Sequence, residues 1–171
     1  MTRALIIKKW AIYSLCGLFP VWLLDAYILS RYPIGSLIPQ LLPLTVVCIA
    51  IFEGAYAGTG FGLATGLLWT LTYPGTMSMR ILLLSLVGLS VGILAQYALR
   101  QSFPGYLLCS TVTYAVLSAM NIFRELLIHS APLSVLLGVG IGETILTLLW
   151  SPLIFFLFAR IFARVGGTRL A

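Results

Sequence analysis

Residues 79–99 read MRILLLSLVGLSVGILAQYAL. Apart from Arg80 at its start the run carries no charge, and Arg100-Gln101-Ser102 closes it. A hydrocarbon core of ~30 Å needs about 20 apolar residues in a helix, so this one stretch is long enough to cross a bilayer. Its apolar residues do not alternate with polar ones as barrel strands do, which leaves the α-helix as the spanning form. At 100° per residue, Ser85, Gly88, Gly92 and Gln96 fall on one face, a small-residue stripe of the kind that lets membrane helices approach closely.

Five more apolar segments flank it, separated by polar or Pro/Gly boundaries. They cover about 10–30, 38–53, 56–72, 104–128 and 133–164. The whole chain has 171 residues, of which 61% are hydrophobic and 8% charged, with a mean hydropathy of +1.10. Soluble domains carry about 25% charged residues, so this composition cannot cover a water-facing surface. The expected fold is therefore an all-α integral membrane protein, a single domain over 1–171 with about six transmembrane helices in one bundle. The segments at 38–53 and 56–72 are short and their link is tight, so they form either a full hairpin or a re-entrant pair. The segment at 133–164 is long enough to tilt or to project from the membrane. Pro20 is expected to bend the first helix.

The net charge of +6 belongs to residues at the ends of apolar runs, which points to anchoring and orientation and not to nucleic acid. With six spans, Arg3, Lys8, Lys9, Arg100, Arg160, Arg164 and Arg169 share one side, and Arg31, Arg80 and Arg124 share the other. The positive-inside rule then puts both termini in the cytoplasm. A four-span arrangement, with the short pair not crossing, leaves that count unchanged. The basic start before the first run superficially resembles a signal peptide, but no small-residue cleavage pattern closes it, and a retained helix is expected. Cys16, Cys48 and Cys109 are widely spaced in apolar stretches and read as buried thiols.

Candidate sites are of two kinds. Small residues recur at helix-packing spacing at Gly58, Gly62 and Gly66, at Gly88 and Gly92, and at Gly138 and Gly142. Each set serves either internal packing or a partner's transmembrane helix. Polar residues also form stripes: Tyr114, Ser118, Asn121 and Glu125 in the fifth segment, Glu143, Thr147 and Ser151 in the sixth, and Ser14, Gly17 and Asp25 in the first. Such stripes must face protein or water, because an acid at mid-bilayer costs about 2.5–3.5 kcal/mol even on the lenient insertion scale. Glu143 is the deepest, ~15 Å into its helix, and stands as an intramembrane candidate with Glu53, Arg80, Asn121 and Glu125. Glu53 closes the second segment; Arg80, Arg124 and Glu125 sit at helix ends where snorkelling is cheap.

Catalytic patterns are sparse. Gly88-Leu89-Ser90-Val91-Gly92 fits G-x-S-x-G, but that motif needs a strand-turn-helix elbow and here lies inside an apolar helix. No phosphate loop, metal-ligand spacing or cofactor motif is present, and an enzyme is not expected.

The stretch from Pro39 to Arg164 resembles the MreD family, the small membrane proteins of the bacterial rod-shape machinery. Pro39-Gln40-Leu41-Leu42 opens the second segment as in that family, and Phe52-Glu53-Gly54 leads into Gly58-x-x-x-Gly62-x-x-x-Gly66-Leu67-Leu68, similar to its glycine-rich core. A Pro-Gly turn and Arg80 follow, then Arg100-Gln101-Ser102-Phe103, and the last helix runs from Leu149-Trp150-Ser151-Pro152 to Arg160. Thr70 stands where the family usually has an aspartate, and Ser78 where it has a glycine. The resemblance implies a non-enzymatic scaffold in the bacterial cytoplasmic membrane, with no cofactor. Its partners would be an MreC-like single-span protein, the cell-wall transpeptidase and glycosyltransferase, and the filament MreB on the cytoplasmic side. It also implies a six-helix bundle similar to the substrate-binding subunits of energy-coupling-factor vitamin transporters. Such a vitamin-binding subunit is the alternative function, kept open by the polar stripes. Against it, the first helix lacks an Ala-x-x-x-Ala face and the outer loop from Arg31 to Leu37 is short for a lid.

Overall fold

The computed structural model describes residues 9–29, 31, 39–72, 79–97, 102–129 and 133–165. All the secondary structure among them is helical. Helix α1 runs over Lys9–Leu29, α2 over Leu42–Glu53, α3 over Ala55–Thr72, α4 over Met79–Tyr97, α5 over Phe103–His129, α6 over Leu133–Leu149 and α7 over Ser151–Arg164. Three of these, α1, α4 and α5, are long and apolar enough to cross a membrane, and the bent pair α6–α7 makes a fourth if counted as one span. The basic residues Arg3, Lys8, Arg100 and Arg169, the outer loop after Arg31, the Pro74-Gly75 turn and Ser78 lie outside the described residues.

Helix α2 is the hub. Every side chain from Leu42 to Phe52 is buried, although the segment is only 12 residues, ~18 Å at 1.5 Å per residue. Its apolar residues run all round the helix, as a fully enclosed helix requires. Packed around it are α1, α3, α4, α5 and α7. Phe52 stacks on Phe162 of α7 with ring centroids 5.1 Å apart, and Phe155 packs against Phe52, Phe103 and Tyr106.

Gly54 turns the chain from α2 straight into α3. Its backbone, at φ 88° and ψ −173°, lies in a region that side chains other than glycine's rarely enter. Beyond it, α3 and α4 form the closest pair in the bundle. A Cβ at Gly58 would meet the Gly88 carbonyl oxygen at 2.5 Å, and one at Gly66 the Ile81 Cα at 2.6 Å. Likewise a Cβ at Gly62 would meet Leu84 and Ser85 backbone, one at Gly88 the Gly58 carbonyl, and one at Gly92 the Ala55 backbone. The two helices therefore touch backbone to backbone, antiparallel, along nearly their whole length.

The outer helices depart from expectation in two places. The single helix expected over 133–164 is two helices bent by 41°. Pro152 has no N–H to give to the carbonyl of Leu148, and its ring crowds that carbonyl, so the helix breaks at Trp150. In α1, where a bend is expected at Pro20, the turns widen on both sides of it, over Tyr13–Leu18 and Leu24–Leu29. Cys48 and Cys109 are buried, whereas Cys16 sits on the outward face of α1, so the expectation of three buried thiols is corrected.

Candidate functional site

Two polar clusters mark the two ends of the bundle. At one end, Lys9 Nζ lies 2.5 Å from Glu53 Oε2, and Tyr13 donates its hydroxyl to Glu53 Oε1 at 2.8 Å. Glu53 thus ties the end of α2 to the start of α1. Gln96 of α4 closes over Gly54 beside it.

At the other end three polar stripes converge on the short entry into α2. Leu41 N–H donates to Asp25 Oδ1 of α1 at 3.1 Å. Gln40 N–H donates to Thr147 Oγ1 of α6 at 3.2 Å. Tyr114 of α5 donates its hydroxyl to the Gln40 carbonyl in a short hydrogen bond. Backbone amides at a helix entry have no intrahelical acceptor, and here they lie inside the protein, so Asp25 and Thr147 from two other helices accept from them while Tyr114 from a third satisfies a carbonyl. Thr147 also donates to the Glu143 carbonyl at 2.7 Å. Asp25, singled out in sequence only as part of a stripe, is a central member. The signal for it was the lone acid in an apolar run; its acceptor role depends on a backbone 16 residues away in sequence.

Beside this junction Arg80 reaches across from α4. One of its terminal nitrogens donates to Asn121 Oδ1 of α5 at 3.0 Å, and its guanidinium lies 5.1 Å from the centre of the Trp69 ring, within cation–π range. Gln40, Trp69, Arg80 and Asn121 line a cavity of ≈ 20 Å³, room for about one water. Ser118 and Thr144 approach at 3.4 Å and join α5 to α6. Glu143 is half-buried and feels the charge of Arg80. Glu125 pairs with its neighbour Arg124 at 2.8 Å.

The glycines divide in the same way. Gly58, Gly62, Gly66, Gly88 and Gly92 are all consumed by the α3–α4 contact. Gly138 faces outward, with nothing within 4 Å of a Cβ placed there, and Gly142 is half-buried on the same side of α6. Ser90 of the G-x-S-x-G run lies in mid-helix, its hydroxyl donating to the Leu86 carbonyl at 2.8 Å, so no strand-turn-helix elbow forms. Among the described residues no group of three or more His, Cys, Asp or Glu is placed to hold a metal ion.

No protein-family model matches the chain, and no curated protein matches it. The helices themselves define its class, a multi-pass all-α protein of the membrane.

Proposed function

We propose that this protein is a non-enzymatic scaffold of the bacterial cell-elongation machinery, related to MreD. In this reading it crosses the cytoplasmic membrane six times with both termini in the cytoplasm. It holds an MreC-like single-span protein, through which the transpeptidase and glycosyltransferase of cell-wall synthesis assemble. One observation carries the reading. The glycines on which the sequence resemblance rests, Gly58, Gly62 and Gly66, are the residues that seat α3 on α4. They build a stiff frame around α2, and a frame is what a scaffold needs. The face of α6 that carries Gly138 and Gly142, with the outward Ile145, is the surface this reading gives to the partner's helix, since small residues allow close helix approach in lipid.

A vitamin-binding transport subunit remains the second reading, because Gln40, Arg80, Asn121 and Glu143 gather near one end of the bundle. The cavity among the first three, ≈ 20 Å³, is far below the roughly 300–1,000 Å³ of ligand pockets, and the scaffold reading is preferred. Affinity purification of the tagged protein from its native membrane in mild detergent separates them. Recovery of a single-span MreC-like protein with cell-wall synthases supports the scaffold. Recovery of an ATPase pair with a transmembrane coupling subunit overturns it.

A further inference from the structure

Helix α7 has an outward face that changes character along its length. At 100° per residue Leu153, Phe156, Arg160 and Arg164 fall within an arc of about 80°, and all four are exposed. The opposite face, Ile154, Phe155, Phe158, Ile161 and Phe162, is buried against the bundle. Leu153 and Phe156, 57% and 62% exposed, suit lipid tails. One turn further the same face is basic, with Arg160 and Arg164 at i, i+4 and so neighbours on the helix surface.

The depth of these arginines follows from what α7 packs against. Phe155 meets Phe103, the first residue of α5, and Phe162 stacks on Phe52, next to Glu53 at the end of α2. From Phe155 to Arg164 the helix runs a further ~13 Å, past the level at which α5 begins. Tyr56 at the start of α3 and Tyr97 at the end of α4, 90% and 86% exposed, mark the same end with a side chain enriched at membrane–water boundaries. Two long basic stems at that depth carry their guanidinium groups to the lipid head groups.

The charge balance at this end is one-sided. Of the chain's acids only Glu53 lies here, and it is held by Lys9 and Tyr13. Asp25 sits at the entry to α2, Glu143 near Arg80 and Glu125 late in α5, all toward the opposite end. Among the described residues neither Arg160 nor Arg164 has an ion-pair partner. Each presents a planar fork of donors that matches a phosphate bidentately. The occupant must bring negative charge to head-group depth, directly beyond a lipid-facing apolar strip, and the phosphate of a membrane lipid meets both conditions.

We propose that Arg160 and Arg164 form a site for the head group of an anionic phospholipid in the leaflet at this end, its phosphate held by the two guanidinium groups and its chains along Leu153 and Phe156. The test uses the full chain in nanodiscs of phosphatidylcholine with a minority of phosphatidylglycerol, each lipid supplied in turn as an analogue with a photoactivatable group beside the phosphate. Cross-links are mapped to Leu153–Arg164 by mass spectrometry. Wild type should take up phosphatidylglycerol at least about fivefold over its bulk share, the equivalent of ~1 kcal/mol for a basic residue at a membrane surface. Arg160→Gln with Arg164→Gln should remove that preference, each change alone should lower it, and Arg160→Lys with Arg164→Lys should keep part of it. Arg124→Gln, late in α5, should leave it unchanged. Both arginines are exposed, so the double glutamine variant should unfold at the same SDS fraction as wild type, which separates a lost site from a lost fold. Labelling at the bulk ratio in wild type, or a preference that survives in the double glutamine variant, would overturn the proposal. So would capture of an acidic protein segment by a photo-cross-linking residue at Ala163 in native membranes, with no lipid preference in nanodiscs.

Discussion

Replacing Gly62 by alanine puts a methyl group against the backbone of α4. The new Cβ would lie 2.8 Å from the Leu84 carbonyl carbon and 2.8 Å from the Ser85 Cα, with the Leu84 oxygen closer still, whereas ordinary contact begins at 3.4 Å. None of these atoms belongs to a side chain that can swing away. The Leu84 oxygen, the closest of the three, requires the helices to separate by about 1 Å, and a gap of that order forfeits up to about half of each dispersion contact along the seam. Gly138→Ala is the matched control, because its methyl meets nothing within 4 Å. The gain in helix propensity, up to about 1 kcal/mol, is common to both changes. Their difference therefore isolates the clash, and overpacking of this kind costs about 1–3 kcal/mol. Equilibrium unfolding in mixed micelles on titration with SDS reads it directly. Gly62→Ala should be less stable than Gly138→Ala by that amount. A difference below about 0.5 kcal/mol would refute the backbone-to-backbone contact of α3 and α4.

The other expectations concern the turn, the entry to α2 and the bend. Gly54→Ala should cost about 1–3 kcal/mol from its backbone conformation alone, and adding Gln96→Ala should restore little, because removing the crowding amide leaves φ unchanged; the same unfolding titration checks both. Asp25→Asn keeps an oxygen for Leu41 N–H and should be mild, while Asp25→Ala strands a buried donor and should cost about 1–2 kcal/mol; near-equal losses would contradict the capping role. Pro152→Ala restores the missing amide and should open the 41° bend towards the range below about 20° found without a specific cause, seen as a longer spin-label distance between positions 141 and 156, both exposed.

Much of this architecture is legible in the sequence, but unevenly. Segment ends and the turn at Gly54 follow from charge, proline and glycine positions. The spacing of Gly58, Gly62 and Gly66 marks a packing face, and so does that of Gly138 and Gly142. Nothing local says that the first meets Gly88, Leu84 and Ile81 while Gly138 meets nothing, since that depends on which helices become neighbours. The hub position of α2 is hidden for a similar reason. In a membrane, lipid-facing and buried segments are equally apolar, so hydropathy does not rank them. Cys16 and Cys48 look alike in sequence and end on opposite sides of the packing. The polar stripes of α5 and α6 predicted inward faces, and Tyr114, Ser118 and Thr147 do face inward. Their shared target was missed, because it is the backbone of Gln40 and Leu41 and carries no side-chain signature. The break at Trp150 had a signal in Pro152, which the continuous hydropathy of 133–164 masked.

The scaffold account places a partner's transmembrane helix on the Gly138–Gly142 face of α6. A photo-cross-linking residue at Ile145, outward on that face and 65% exposed, tests this in living cells under ultraviolet light. The account predicts a cross-link to a single-span cell-envelope protein, lost when Gly138 is changed to leucine to fill the approach, with no such product from the same residue at Leu15 on α1. Cross-links to lipid alone at Ile145, in cells where the protein is present at its normal level, would contradict it.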